Sequence, residues 1–230
     1  MATAQGIIGL GRRAAVSHLT AAELGRSEAL QSSAARDAFI ASHVLVRYVA
    51  GALAGVDATR LVLVQRCDTC GGPHGAPFLR DRPNLRVSLS HSGGIVAAAA
   101  ADVPVGIDVE TWDHAHHFDE LQHAGVFSPD EARLLAARPR RREGPGGISP
   151  FEADALRLWL RKECLAKLGW LDLDRLGSCD LSHLPLQAAA PGSTLPTAYG
   201  ALRFTDWSEP RWRASGAVVS QHPAEVVYFD

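Results

Sequence analysis

The sequence is poor in cysteine and lysine, and it lacks a long apolar run. Its 230 residues include 4 cysteines. These are too few for a disulfide scaffold, so we expect thiols or metal ligands in a reducing compartment. No uninterrupted apolar stretch reaches the roughly 18 residues of a membrane helix, and the first residues lack the basic and apolar segments of a signal peptide. We therefore expect a cytoplasmic protein that does not enter membranes.

Charge and composition argue against further classes of protein. The chain has 23 basic and 25 acidic residues, for a net charge of −2. This balance speaks against a surface that binds nucleic acid by neutralising many phosphates. Hydrophobic residues make up 47% and charged residues 21% of the chain, which is typical of a globular protein and not of a disordered one. The length allows one large or two small domains.

Local signals predict where helices and strands lie. Capping boxes at Thr20–Glu23, Ser128–Glu131 and Ser149–Glu152 mark three helix starts. The third predicts a helix from about Pro150 to Leu168 that stops at the following glycine, and an apolar stripe predicts another helix from about Arg36 to Ala50. Strands are predicted over Leu61–Gln65, Leu85–Ser90, Ile95–Ala101, Val105–Glu110, Leu202–Trp207, Trp212–Ser220 and Val226–Phe229.

The order of these elements is helices followed by strands, and it occurs twice. It predicts an α+β fold with two similar α+β subdomains, residues 1–112 and 113–230. Ile95–Ala101 is ambiguous because alanine favours helix. Turn residues on both sides leave room for only this short segment, which favours a strand.

Two acidic residues share one face of a predicted strand. Within Val105–Glu110, alternate side chains point the same way, so Asp108 and Glu110 project together while Val109 points into the core. Neighbouring carboxylates repel unless a cation lies between them, and Mg²⁺ is commonly held by one or two carboxylates. The alternative is an exposed acidic strand end without a ligand.

A stripe of charged residues follows the third predicted helix. Trp159, Glu163 and Lys167 are spaced four residues apart, with Lys162 beside them. An ordinary glutamate–lysine surface pair is one explanation of these charges. Trp159 and Trp170 bracket them, however, and we expect both rings to be buried, which favours a functional site.

A further predicted strand ends in the polar segment Ser90-His91-Ser92, followed by two glycines. Its hydroxyl, imidazole and backbone N–H donors can face an anion, and glycine allows close approach. The alternative is a polar hairpin turn. A serine hydrolase is disfavoured because no Gly-x-Ser-x-Gly elbow is present.

Together these three segments resemble the Sfp-type 4′-phosphopantetheinyl transferases, whose hallmarks are a Ser-His-Ser segment, a Gly-Ile/Val-Asp-x-Glu strand and a Trp-x-x-Lys-Glu-x-x-x-Lys helix. The resemblance extends from about Thr20 to the C-terminal strands. It implies two subdomains related by pseudo-two-fold symmetry, with a cleft for coenzyme A between them. Where many relatives have Gly-Lys-Pro, this chain has Ala76, so a nucleotide contact is either missing or supplied by an arginine such as Arg80 or Arg82.

The resemblance implies transfer of the 4′-phosphopantetheine arm of coenzyme A to a serine of an apo acyl or peptidyl carrier protein. Adenosine 3′,5′-bisphosphate is the expected second product. By the resemblance, Asp108, Glu110 and Glu163 face Mg²⁺. Lys167 meets the pyrophosphate, and Glu163 is also the candidate base for the carrier serine. A carboxylate fully committed to the metal is not a strong base, so either a bound water relays the proton or the metal is held mainly by Asp108 and Glu110.

Residues of the first half are expected to contact coenzyme A. His91 matches the family histidine that contacts a coenzyme A phosphate, and Ser90 lies beside it. Gly75 and Pro77 belong to the segment that resembles Gly-Lys-Pro. The basic candidates for the 3′-phosphate are Arg36 and Arg47.

A basic, turn-rich segment at Arg138–Arg142 is expected to be mobile and to steer acidic carrier proteins towards the enzyme. The alternative is a solvated linker. We expect a monomer that binds neither nucleic acid nor membranes.

Two other functions compete with this one. A magnesium-dependent phosphohydrolase or nuclease would use the same carboxylates on water, but it gives the Ser-His-Ser segment no role. A noncatalytic zinc module would use Cys67, Cys70 and His74. A closed zinc site needs a fourth ligand, and the sequence has no further ligand at the spacing of a zinc knuckle. The sequence therefore favours a plain turn there. The histidines of Asp113–His117 are expected to be solvated.

Overall fold

The computed structural model describes residues 1–9, 12–67, 70–113, 125–142, 147–186 and 193–229. The chain divides into two compact units, residues 1–107 with 225–230 and residues 108–224. Each unit combines helices with one antiparallel sheet, so the predicted α+β class is confirmed. The subdomain bounds 1–112 and 113–230 and their pseudo-two-fold relation stay predictions.

The first unit packs helices on a five-stranded sheet. Its helices are α1 (Ala4–Gly9), α2 (Arg12–Ser17), α3 (Ala21–Ala29) and α4 (Ser33–Ala54). Its strands are β1 (Ala2–Thr3), β2 (Leu63–Gln65), β3 (Pro77–Leu79), β4 (Arg86–Ser92) and β5 (Ile95–Ala101), in the sheet order β1-β5-β4-β3-β2. The alanine-rich β5 is a strand as predicted, because it pairs along its whole length with β4. Gly93 and Gly94 both have positive φ angles, 52° and 83°, as a two-residue hairpin turn requires.

Helix α4 is the central helix of the first unit. Its 22 residues are long and apolar enough, by length and composition alone, to cross a membrane. The sequence analysis did not identify a membrane-helix candidate here, because Arg36, Asp37 and Arg47 interrupt the apolar run. In the structure, 67% of the most apolar 18-residue stretch of α4 is buried. The helix packs on β4 and β5. Such burial is typical of a core helix.

Among the residues that the structure describes, the second unit packs two helices with a four-stranded sheet. Its helices are α5 (Pro129–Ala136) and α6 (Pro150–Lys167), with 3₁₀ turns at Leu173–Ser178 and Pro210–Trp212. Its strands are β6 (Gly106–Thr111), β7 (Thr194–Tyr199), β8 (Leu202–Glu209) and β9 (Ala214–Ser220), in the order β6-β9-β8-β7. The division between the units falls inside β6. Helix α6 packs on β9 through a core that includes Leu160, Leu165 and Val219.

The structure confirms the local helix signals. The capping boxes of Thr20, Ser128 and Ser149 all form. Helix α6 ends at Lys167, and Gly169 just beyond it has a φ of 74°, a left-handed conformation that favours glycine.

Two parts of the predicted strand pattern were wrong. The segment Val226–Phe229 makes an isolated bridge between Phe229 and Ala2 and no strand. The strands β3 and β7 were missed because each contains a proline, Pro77 and Pro196. Proline is tolerated there because Pro77 is the first residue of β3, and β7 is an edge strand.

Candidate active site

Strand β6 presents two acidic side chains on one face. Asp108 is buried and Glu110 half-buried. Val109 between them is fully buried on the other face, as the alternation of a strand requires. This part of the prediction is confirmed by the geometry of the strand.

Helix α6 brings an ammonium group to the same place. Lys167 lies in its last turn, and its Nζ donates to Asp108 Oδ1 at 2.7 Å. The pair joins the end of α6 to β6. The sequence analysis expected Lys167 on a pyrophosphate, whereas the structure places it on a carboxylate.

The carboxyl group of Glu163, one helical turn before Lys167, completes a group of three acids. Burial, more than any other cause, raises the pKa of Glu163 from its ordinary value of 4.5 to about 7. The negative charges of Asp108 and Glu110 add to this rise, and the charge of Lys167 opposes it. The four side chains therefore interact within the second unit. We call Asp108, Glu110, Glu163 and Lys167 the acidic cluster.

The acidic cluster lies within one of the two compact units. The predicted subdomain boundary assigned Asp108 and Glu163 to separate halves of the chain, which were to converge on a cation. Both residues belong to the second unit, residues 108–224. The reason is that β6 pairs with β9, so the carboxylates of β6 belong to the same sheet layer on which α6 packs.

The donor set of the acidic cluster fits a hard divalent cation. Three carboxylates outnumber one ammonium, and burial together with two nearby negative charges opposes the ionisation of Glu163. A cation would relieve this repulsion. Carboxylate oxygens are ligands that Mg²⁺ prefers in proteins, so Asp108, Glu110 and Glu163 are the residues that could hold one.

Lys162 has a different role from its neighbour Glu163. Its ammonium group is fully buried and donates to Glu131 Oε2 at 2.6 Å and to the carbonyl oxygens of Val126 and Leu176 at 2.9 Å. Glu131 also accepts from the backbone N–H of Leu181 at 2.9 Å. Lys162 thus connects α6 to α5, to the segment just before α5, and to the 3₁₀ turn that follows α6. The capping box identified Glu131, but no local signal showed its buried partner.

The two tryptophans around the helical stripe differ in burial. Trp159 is half-buried and packs against the core of the second unit. Trp170 is 61% exposed, so the expectation of two buried rings was wrong for Trp170. It follows the glycine that ends α6 and therefore lies outside the helix that carries the other residues.

In the first unit, the Ser-His-Ser segment occupies the end of β4. Ser90 and Ser92 are buried, and His91 between them is exposed. Alternate side chains of a strand point to opposite faces, so His91 does not share a face with the two serines. The sequence analysis expected the donors of this segment to face one anion. The three side chains do not converge on one point.

The arginines expected at the 3′-phosphate lie in two different environments. Arg47 is fully buried and pairs with Glu23 at 2.7 Å, while its other donors reach the carbonyl oxygens of His43 and Leu61. Its guanidinium is thus used within the core, and we correct its assignment to a structural role. Arg36 is half-buried and donates to the carbonyl oxygen of Leu30 at 2.9 Å.

A small cavity of about 140 Å³ in the first unit carries two other arginines, Arg26 and Arg80. Arg80 was noted in the sequence for a nucleotide contact, whereas Arg26 was missed because nothing in its local pattern marks it. Arg26 Nη1 donates to Gln65 Oε1 at 2.6 Å. Burial lowers the pKa of Arg26, which remains a cation. Pro73, two positions before the Gly75-Ala-Pro77 segment in the sequence, also lines the cavity.

The arginines of Arg138–Arg142 are anchored on the start of α6. Arg138 pairs with Asp154 at 2.6 Å, and Arg142 pairs with Glu152. The guanidinium carbon of Arg140 lies 3.8 Å from the centre of the Phe151 ring. These contacts reduce the free positive charge that was expected to steer carrier proteins. Of the neighbouring histidine segment, His114, His116 and His117 lie outside the described residues.

A mixed α+β chain whose carboxylates form a potential divalent-cation site has the features of an enzyme of phosphoryl transfer. Comparison with known proteins points to one kind of transferase. The chain is 36% identical over 95 residues to the 4′-phosphopantetheinyl transferase psf-1 of Bacillus pumilus. The match covers 41% of this chain and 36% of that relative, so it spans about a third of the relative's length. No protein-family model matches the chain. The similarity supports phosphopantetheinyl transfer in general and does not distinguish the Sfp type.

Proposed function

We propose that this protein transfers the 4′-phosphopantetheine arm of coenzyme A to a serine hydroxyl of an apo acyl or peptidyl carrier protein. The other product is adenosine 3′,5′-bisphosphate, and the reaction depends on Mg²⁺. The observation that carries the proposal is the acidic cluster, in which Glu163 and Lys167 of α6 interact with the carboxylates of β6. The similarity to psf-1 supports the same reaction class.

In this proposal Asp108, Glu110 and Glu163 hold the Mg²⁺. When bound, the ion supplies positive charge that stabilises the charge developing on the pyrophosphate leaving group. Lys167 offers three N–H donors, of which one is used by Asp108. In this proposal the ammonium group of Lys167 also binds a phosphate oxygen of the substrate.

Glu163 is the proposed base for the carrier serine. A serine hydroxyl needs a base close to it to become a nucleophile, and a base works best when its pKa lies near the working pH. Burial and neighbouring carboxylates bring the pKa of Glu163 to about 7. A bound cation would lower this pKa. The proposal therefore requires either that a water relay the serine proton to Glu163, or that Asp108 and Glu110 hold the ion more closely than Glu163 does.

The residues of the first unit that contact coenzyme A are proposed on the resemblance. They are Ser90, His91, Arg36, Gly75 and Pro77. Arg26 and Arg80 replace Arg47 as the candidates for the 3′-phosphate, because they line a cavity, whereas Arg47 is buried in an ion pair. A monomeric protein in the cytoplasm completes the proposal.

The test is the intact mass of an apo carrier protein after incubation with coenzyme A, Mg²⁺ and the enzyme. We expect the mass to increase by one phosphopantetheine group and Asp108→Asn to slow this by more than about tenfold, as losses at metal sites do. The control is Arg133→Ala, which changes an exposed arginine of α5 that pairs with Asp130. This variant should leave the rate unchanged. An unmodified carrier, with phosphate released from coenzyme A by water, would instead favour the phosphohydrolase.

A further inference from the structure

The loop between β2 and β3 brings two cysteines and a histidine together. The ligand atoms of Cys67, Cys70 and His74 all lie within 4.8 Å of one another. The closest pair is Cys70 Sγ and His74 Nε2, at 3.0 Å. The sequence alone favoured a plain turn here because it offers no fourth ligand at knuckle spacing. The folded loop nevertheless gathers the three ligands it has.

These separations suit a tetrahedral zinc ion. Zn–S bonds of about 2.3 Å and Zn–N bonds of about 2.0–2.1 Å place two sulfurs about 3.8 Å apart and a sulfur and a nitrogen about 3.6 Å apart. The Cys70–His74 pair, at 3.0 Å, is closer than a shared zinc ion would place it, and no two of the three ligand atoms are more than 4.8 Å apart. Side-chain movements of about 1 Å or less are therefore enough to form the site.

The backbone of the loop supports this arrangement. Cys67 N–H donates to the Gly72 carbonyl at 2.9 Å, and Gly71 N–H donates to the Cys67 carbonyl at 2.8 Å. Gly72 N–H points at Cys70 Sγ at 3.4 Å. A Cβ on Gly72 would lie 3.2 Å from both Cys70 Sγ and the His74 ring. Glycine at this position thus lets the two ligands approach each other.

We propose that Cys67, Cys70 and His74 bind one Zn²⁺, whose fourth position is taken by water. Two thiolates and one imidazole are the softer donors that select zinc over magnesium. Cys70 and His74 are exposed and Cys67 half-buried, so solvent reaches the fourth position. On binding, the two thiols release their protons to water and the imidazole binds in its neutral form.

The bound ion would link the two limbs of the loop near the point where they approach each other most closely. A Cβ on Gly75 would lie 2.9 Å from the Arg66 carbonyl oxygen, which shows how closely the two limbs of the loop approach there. Gly75 has a φ of 105°, so glycine is needed for this approach. Zinc on Cys67 and His74 joins the same two limbs just above this contact. This role does not depend on the proposed transferase activity.

The experiment is a Co²⁺ titration of the metal-free, reduced full-length protein. We expect one equivalent of Co²⁺ to produce a thiolate-to-cobalt charge-transfer band with the ligand-field absorption of a tetrahedral ion. One equivalent of Zn²⁺ should then abolish both. Cys70→Ser and His74→Gln should each weaken binding by more than about tenfold. Because both side chains are exposed, the variants should keep the circular dichroism of the wild type.

Cys179→Ser is the matched control, since Cys179 belongs to the second unit and not to the loop, and it should bind Co²⁺ like the wild type. Asp108→Asn should also bind normally, which separates this site from the acidic cluster. Absence of the charge-transfer band overturns the proposal, and so does unchanged binding by Cys70→Ser. A Cys67–Cys70 disulfide in protein prepared under reducing conditions, found by thiol titration and peptide mass, would overturn it as well.

Discussion

At the residue scale, Glu163 is a carboxyl group whose surroundings oppose its ionisation. Burial and the negative charges of Asp108 and Glu110 raise its pKa, and the ammonium group of Lys167 lowers it. Neighbours in the sequence do not reveal this, because Asp108 and Glu110 come from a distant strand. The sequence could select Glu163 as a candidate by its helical spacing from Lys167. The pKa of about 7 requires the folded protein.

The pH dependence of stability tests this environment. Because the pKa of Glu163 is raised from 4.5 to about 7, the folded protein keeps a proton between these pH values that the unfolded chain has lost. The free energy of unfolding of the metal-free protein should therefore decrease as pH rises from 4.5 to 7. Glu163→Gln removes this contribution, so the variant should be the more stable protein at pH 8. Urea unfolding of both proteins across this range measures the difference, and parallel curves would contradict it.

Two lysines five positions apart in α6 give a second prediction at the residue scale. Lys162 neutralises the fully buried Glu131, so Lys162→Met leaves a buried charge without its partner and should cost about 3–5 kcal/mol. Lys167 is 28% exposed in its pair with Asp108, so Lys167→Met should cost about 1 kcal/mol. Activity should reverse the order, with Lys167→Met the slower enzyme per folded molecule. Chemical denaturation and transfer assays measure the two quantities, and equal destabilisation would count against the division of roles.

At the element scale, the parts of the fold that the sequence predicted are those set by local hydrogen bonds. Capping boxes are made within four residues, so the starts of α5 and α6 could be read directly. The roles of Lys162 and Arg47 could not, because their partners Glu131 and Glu23 lie on other helices. The strands β3 and β7 were missed for a related reason, since proline, which has no N–H, is excluded from a strand only where a neighbouring strand needs a donor at that position.

The cap of α6 gives a prediction at this scale. Ser149 accepts from the backbone N–H of Glu152 at 3.2 Å, and it is buried. Ser149→Ala should therefore destabilise the protein by about 1–2 kcal/mol. Ser32 is the matched control because it caps the exposed start of α4 with one bond to Ala35; Ser32→Ala should cost about 0.5–1 kcal/mol. Thermal and urea unfolding would show the order, and a larger loss at Ser32 would contradict it.

At the scale of the whole molecule, the two proposed metal sites lie one in each unit and offer side chains of different chemistry. The acidic cluster of the second unit offers carboxylate oxygens, which suit Mg²⁺. The loop of the first unit offers sulfur and nitrogen, which suit Zn²⁺. The order of helices and strands predicted the α+β class, but it could not assign β6 to the second unit. That assignment depends on the pairing of β6 with β9.

Hydrogen exchange can distinguish the two sites in one experiment. Mg²⁺ added to metal-free protein should slow amide exchange in β6 and in the last turn of α6, because the ion links Asp108 and Glu163. One equivalent of Zn²⁺ should slow exchange between Arg66 and Pro77 and leave the acidic cluster unchanged. Asp108→Asn should abolish the first effect and Cys70→Ser the second, each without altering the other. Protection of the same segments by both ions would contradict the assignment, since it would mean that one site binds both metals.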